Sequence, residues 1–234
     1  MKIAIVGYGK MGKTIEGLAV QQGHTITAKL EETPTRENIN GAEVAIEFTM
    51  PSSAFGNVKA CLEIGVPVVC GTTAWLDKLP EAQEICRKLN GAFLYASNYS
   101  LGVNLFFEIN RRIAEIMQKY PEYEVRLEEI HHTEKKDAPS GTAITLAEDI
   151  IPIYGFDGWK LSHKTEGNQL GIEAKRIENV PGTHLTLYSS DVDEIEIKHT
   201  AHSRNGFALG ALLAAKWLIG KQGVFSMKDV LGFK

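Results

Sequence analysis

The stretch "KIAIVGYGKMGKTIEGLAVQQG", residues 2–23, decides the fold class. It opens as a short apolar run that ends in glycine, and Met11, Ile15, Leu18, Ala19 and Gln22 then recur at helical spacing until Gly23 stops them. That order is strand, tight turn, helix. Gly7, Gly9 and Gly12 occupy the turn with the spacing G-x-G-x-x-G, where glycines permit the turn, a pyrophosphate's approach and close helix-to-sheet packing. The helix N-terminus adds oriented N–H donors. Glu31 closes the next apolar run, about 20 residues beyond Gly12, where a carboxylate can accept from adenosine ribose hydroxyls. These residues imply a bound dinucleotide. A 2′-phosphate beside Glu31 and Glu32 would meet two carboxylates, so NADH is expected to serve at least as well as NADPH, with Lys10, Lys29 and Arg36 the cations that could still reach a phosphate.

Outward from this unit the rhythm repeats. "TITAKL", "AEVAIEFT", "VPVVCGTT" and "AFLYAS" read as strands, and "SSAFGNVKACLEIG" and "EAQEICRKLN" as helices between them, which implies a parallel sheet with helices on both faces. "GTT" at 71–73 and "ASNY" at 96–99 end two of these strands, at the edge where such sheets bind ligands. Gly-Thr-Thr equally fits a plain turn with an N-cap. After residue 100 the pattern changes: a long amphipathic helix, Val103 to Gln118, leads to the strand "EYEVRLEEIHH", and "HLTLYSS" and "EIEIKHTAH" read as an antiparallel pair joined at "DVDE". The expectation is an α/β nucleotide domain over 1–100, an α+β domain over 101–205, and a terminal helix from 206 onward returning to the first.

Bulk properties narrow the classes. A net charge of −4 offers no general attraction for nucleic acid or an anionic membrane. Cys61, Cys70 and Cys86 form no C-x-x-C pair and lack histidines at zinc-finger spacing, and their odd number without a secretory leader suits the reducing cytoplasm. The apolar stretch Phe207 to Ile219 contains Lys216 and falls short of the roughly 20 residues a spanning helix needs, so it reads as a buried helix.

The chemistry concentrates in "HHTEKKDAPSGTA", residues 131–143. Ala138 precedes a proline and is pushed away from helix; Ser140 then fits an N-cap, with Ala143, Leu146, Ala147 and Ile150 on the apolar face of a helix starting at Gly141. The free N–H groups of Gly141 and Thr142, with the Thr142 hydroxyl, make a carboxylate receptor. Lys135 and Lys136 add positive charge just upstream. His131 and His132 bring groups that titrate near neutrality, and as neighbours on a strand they point to opposite faces and divide their roles. A solvated loop with a well-capped helix would carry many of the same residues. His199 and His202 resemble a metal pair, but on a strand they too fall on opposite faces, and no metal is expected. Neither a Gly-x-Ser-x-Gly elbow nor a P-loop occurs.

At these residues the chain resembles the dihydrodipicolinate reductase family. "EEIHHTEKKDAPSGTA" is similar to that family's E-x-x-H-H-x-x-K-x-D-x-P-S-G-T-A pattern, with "VGYGKMG", "EFTMPSS", "VVCGTTAW", "SNYSLGVN", "VPGTH" and "SRNGFALGALLAAKWL" in support. The resemblance implies a Rossmann half and a substrate half whose open mixed sheet builds a homotetramer. It implies reduction of a cyclic imine dicarboxylate by NADH or NADPH, in diaminopimelate and lysine synthesis. His131 and Lys135 match the proton-donating pair, and His132, Gly141 and Thr142 the substrate contacts. Gly7, Tyr8, Gly9, Lys10, Met11 and Gly12, with Glu31, Gly71, Thr72, Thr73, Ala96, Ser97, Asn98 and Tyr99, match the cofactor positions. The chain is compact at "EETPTRENINGAE" and around "IPIYGFDGWKLSHKTEGNQLG". Other readings of the residues are a two-domain oxidoreductase of the aspartate dehydrogenase kind, which leaves the histidine-lysine segment unexplained, and an NAD-sensing module, which needs no proton donors.

Overall fold

The computed structural model describes residues 1–203 and 205–233. The chain forms two compact units, Met1–Leu101 with Asn205–Lys234, and Gly102–Arg204.

The first unit runs β1 (Lys2–Val6), α1 (Lys10–Gln21), β2 (Thr25–Leu30), β3 (Val44–Glu47), α2 (Pro51–Glu63), β4 (Val68–Cys70), α3 (Leu79–Lys88) and β5 (Ala92–Tyr95). Its six-stranded sheet has the order β11-β5-β4-β3-β1-β2, where β11 is Gly223–Phe225, and every pairing is parallel. Alternation along each strand separates two apolar layers. Ile3, Ile5, Val44, Ile46, Val69 and Leu94 face Ile15 and Ala19 of α1 and the alanine-rich side of a late helix, α6 (Asn205–Leu218). Ala4, Val6, Ala45, Val68, Cys70 and Phe93 face α2 and α3. Burying each Ile, Val or Leu here contributes about 1.5–3 kcal/mol before entropy is charged. All three cysteines are buried and unpaired. Pro51 opens α2, where its fixed φ suits the first turn and its missing N–H costs nothing.

The second unit contains α4 (Leu101–Met117), whose first residue belongs to unit one, then β6 (Glu124–His131), α5 (Gly141–Tyr154), β7 (Gly158–Leu161), β8 (Gln169–Arg176), β9 (Thr183–Ser189) and β10 (Glu194–Thr200). Its sheet order is β10-β9-β6-β8-β7. β9 is antiparallel to β10 and β6, while β6, β8 and β7 run parallel, so the sheet is mixed. Val125, Leu127, Leu170, Ile172 and Tyr188 pack against Phe106, Ala114 and Met117 of α4 and Ala143, Leu146, Ala147 and Ile150 of α5. Asn110, fully buried, donates to Leu146 O at 3.2 Å and accepts from Thr186 Oγ1 at 2.7 Å, so α4 is tied to α5 and β9 without an unmade bond.

Five elements among the described residues escape the sequence reading: a single 3₁₀ turn at Leu76–Lys78, β7, β8, β11 and a short α7 (Met227–Leu231). "QLGIEAKR" in β8 has no clean alternation, because its N-terminal half is buried on consecutive residues and its C-terminal half only partly. β11 has three residues, too few for a period. β6 stops at His131 and β10 at Thr200, so the strand-parity argument does not extend to His132 or His202.

Candidate active site

In unit one the glycine turn is built to receive an anion. Gly7 lies at φ +95°, and a Cβ there would fall 2.0 Å from Phe48 O; a Cβ on Gly12 would fall 2.3 Å from Gly7 O. Gly12 lets the turn close on itself, and Gly7 lets it lie against the backbone that follows β3. Gly9 differs, since nothing lies within 4 Å of its Cβ position, and as the N-cap of α1 it has no side chain to take the first-turn amides. The N-terminus of α1 therefore opens onto free space beside a glycine, which fits a pyrophosphate. Lys10 and Met11 are the first two residues of that helix.

Beyond the C-terminal end of β2, Tyr8, Lys29, Leu30, Glu31 and Glu32 line a cavity of about 390 Å³. Lys29 is already committed: its ammonium is 2.5 Å from Glu16 and 5.1 Å from the centre of the Tyr8 ring, and the Tyr8 hydroxyl donates to the same Glu16 carboxylate. Paired with Lys29, the Glu16 carboxyl is held below its ordinary pKa. Glu31 and Glu32 are exposed.

The other loops at this edge are cross-braced. Thr72 Oγ1 accepts from Thr49 N at 2.7 Å, and Thr72 O accepts from Trp75 Nε1 at 2.7 Å. Glu47, fully buried, accepts from the Cys70 thiol at 2.9 Å and from the Thr49 hydroxyl. A Cβ on Gly71 would sit 2.1 Å from the Phe48 ring, so only glycine lets these loops meet. Thr73 is exposed, and Ala96 N donates to Cys70 O at 3.3 Å. Ser97 and Asn98 follow, with Asn98 Oδ1 accepting Ser100 N at 2.9 Å. Tyr99 is not a ligand-facing side chain: it is 1% exposed, its hydroxyl donates to Cys70 O at 2.7 Å, and its ring packs edge-on against Phe48.

In unit two, strand parity gathers a polar cluster on the helix-facing side of the sheet. Glu129 and His131 are two apart on β6; His184 of β9 pairs with Glu129, and Arg176 of β8 pairs with His131. All four therefore share one face. The two imidazoles meet edge to face at 5.0 Å. Glu129 Oε2 accepts the Ser140 N–H at 2.9 Å, and Oε1 accepts Arg176 Nη2 at 3.2 Å. Ser140 is the N-cap of α5: its Oγ accepts from Ala143 N at 3.3 Å and lies 3.1 Å from His184 Nε2. His184 Nδ1 is buried without a partner, so the proton belongs on Nε2, where Ser140 Oγ and the nearby Glu129 carboxylate can receive it. Gly182 leaves room for the His131 ring; a Cβ there would lie 3.2 Å from Nε2.

Ser140 and the carbonyl geometry of the first turn satisfy Ala143 and Ile144, and the amides of Gly141 and Thr142 point outward from the helix end. Lys135 carries its ammonium 2.8 Å from Asp137 Oδ2. Burial holds His131 below its ordinary pKa, opposed by Glu129 and aided by Lys135 and Arg176. Burial pushes His184 down to about 3, with His131, His199 and Lys135 adding to the effect. Both imidazoles are thus neutral near pH 7. Lys135 is tied to this cluster through its backbone, its carbonyl accepting from Arg176 Nε at 3.3 Å. His132 stands apart, lining a cavity of about 450 Å³ with Thr133, Glu134, Glu178, Asn179, Val180 and Pro181.

Ligand atoms of Glu129, His131 and His184 lie within 4.8 Å of one another, a spacing that could hold a cation. Two of the three residues are partnered within the protein, Arg176 supplying the positive charge on Glu129 and His184 Nε2 facing Ser140, while His131 Nδ1 is buried with no hydrogen-bond partner among the described residues. Glu129, Arg176 and His184 are the cluster residues the sequence reading leaves out. Glu129 is recoverable from parity with His131, whereas Arg176 lies on a strand the hydrophobic pattern does not reveal.

Comparison with known proteins fits this arrangement. Residues 1–99 match the family model for the dihydrodipicolinate reductase N-terminus, and residues 102–231 that for its C-terminus. A 4-hydroxy-tetrahydrodipicolinate reductase of Christiangramia forsetii is 51% identical over 99% of this chain and 98% of its own length. One from Thiobacillus denitrificans is 31% identical over 100% of this chain and 99% of its own. A dipicolinate-bound dihydrodipicolinate reductase from Paenisporosarcina sp. TG-14 shares the fold, with a TM-score of 0.78 over 97% of each chain at 19% identity. Among the described residues no helix is long and apolar enough to cross a membrane. With both units matched and a half-identical relative aligned end to end, the chain belongs to the dihydrodipicolinate reductase family.

Proposed function

We propose that the protein is a 4-hydroxy-tetrahydrodipicolinate reductase, which reduces a cyclic imine dicarboxylate to tetrahydrodipicolinate, the 4-hydroxyl being lost as water, in diaminopimelate and lysine synthesis. What supports the reading is that Glu129 holds Ser140 at the head of α5 while its partner Arg176 holds the backbone of Lys135 and Asp137, with His131 buried beside them. A nicotinamide dinucleotide, when bound at the glycine turn, supplies the hydride. The amides of Gly141 and Thr142 hold a substrate carboxylate, and His132 contributes a further contact. Lys135 donates the proton that the nitrogen side of the reduced imine requires. General acid catalysis of this kind contributes about 10²- to 10⁴-fold. His131, kept neutral by burial, orients the acid or shares the proton with it.

The cofactor reading favours NADH. Glu31 and Glu32 face the adenosine end unpaired with any cation among the described residues, and the nearest lysine of that cavity is bound to Glu16. A 2′-phosphate would bring negative charge to two carboxylates, and with Lys29 held by Glu16 the cations left to approach it are Lys10 and Arg36. Residues Gly71 to Thr73 and Ala96 to Asn98 line the nicotinamide end in this reading, with Tyr99 supporting them from beneath. The cytoplasm is the proposed compartment.

The test follows nicotinamide absorbance as the protein is mixed with NADH and enzymatically generated cyclic substrate. Substrate-dependent oxidation is expected, with kcat/KM for NADH at least equal to that for NADPH. Absence of turnover with either cofactor would refute the activity; a preference for NADPH above tenfold would refute the cofactor reading alone.

A further inference from the structure

The Glu129 side chain has no exposed surface, and both of its oxygens are in use. One takes the N–H of Ser140 and the other takes Arg176. The remaining named bonds of Arg176 go to backbone: Nε to Lys135 O at 3.3 Å, Nη2 to Asp137 O at 2.7 Å and Nη1 to Lys175 O at 2.8 Å. A single carboxylate–guanidinium pair therefore joins the end of β6, the 132–139 loop and the first turn of α5. The loop has little else to fix it. None of its residues belongs to an apolar cluster of the described residues, and its own bonds are a turn from Lys135 N to His132 O and the Lys135–Asp137 pair. The backbone carbonyls that Arg176 grips are those of the two residues in that pair, so the position of the ammonium follows from the grip.

We infer that Glu129 and Arg176 are positioning residues that clamp the Lys135 loop to the N-terminus of α5, making one site of the lysine ammonium and the anion-binding amides. The importance of Lys135 rests on the reductase reading above; the clamp itself does not. An arginine is needed because its planar fork spans a carboxylate and separate carbonyls, whereas a lysine offers its donors from one atom. Removing either partner outright would leave a buried charge uncompensated. Arg176→Lys avoids that, since it keeps a cation beside Glu129 and abandons the reach to Lys135 O and Asp137 O.

The experiment uses the full-length protein as wild type, Arg176→Lys, Lys135→Ala and the double variant, with the paired Glu129→Gln/Arg176→Gln, which removes both charges together, as the substitute should the lysine variant fold poorly. Arg176→Lys is expected to lower kcat at least tenfold while NADH affinity stays within twofold. Amide hydrogen exchange over 133–139 should quicken at least tenfold, with the strands of both sheets unchanged. In the Lys135→Ala background the same change should alter kcat less than twofold, because its effect passes through Lys135. Unchanged exchange over 133–139, or an undiminished tenfold loss in that background, overturns the inference. Full turnover by Lys135→Ala would refute the donor role, and the exchange data then decide the clamp by themselves.

Discussion

His184 shows how one residue's burial becomes a property of the whole enzyme. It is a neutral strut beneath the N-cap of α5, with its pKa pushed down to about 3 by burial first and by its basic neighbours His131, His199 and Lys135 second. Its folded pKa lies below the unfolded value near 6.5, so on acidification the unfolded chain takes up the proton first. The associated stability is complete above pH 6.5 and is lost as pH falls toward 3, with a slope of up to about 1.4 kcal/mol per pH unit. His131, depressed for the same leading reason, acts with the same sign. Glutamine at 184 would keep a donor near the Nε2 position and would not titrate. Urea unfolding between pH 4 and 7 should therefore show a shallower dependence for His184→Gln than for wild type; parallel curves would mean that His184 is not the buried neutral group described.

At the scale of elements, the sequence reveals most where period and turn chemistry agree. The first unit was legible because Ile3/Ile5 and Ala4/Val6 alternate between two helical layers and glycines punctuate the ends. The helix at Gly141 was legible through Ser140 and its apolar face. The pairing of Glu129 with Arg176 was not, because it depends on the parallel pairing of β6 with β8, a contact between residues 47 apart. Tyr99 reads as a ligand contact in sequence, whereas its side chain is buried, bonded to Cys70 O and packed against Phe48.

The same sheet makes a prediction of its own. The face opposite the helices carries Arg126, Glu128, Glu173 and Lys175, with Leu185 and Leu187 buried among the residues of that side. Arg126 lies 3.7 Å from both Glu128 and Glu173. This face is the one through which a homotetramer is proposed to assemble. Light scattering should give four times the 25.8 kDa chain mass. Arg126→Glu, which sets like charges together on that face, should shift the protein to smaller species. A monomeric wild type would remove the assembly from the account.

At the scale of the molecule, labour is divided between the units: the glycine turn and its braced loops belong to unit one, and the histidine, lysine and helix-end groups to unit two. Binding of the dinucleotide and delivery of the proton should thus be separable by mutation. Lys135→Ala separates them most directly, with kcat measured against cyclic substrate and NADH affinity measured by fluorescence on the same preparation. The account predicts that kcat falls about 10²- to 10⁴-fold while NADH affinity remains within twofold. Turnover at the wild-type rate would contradict it.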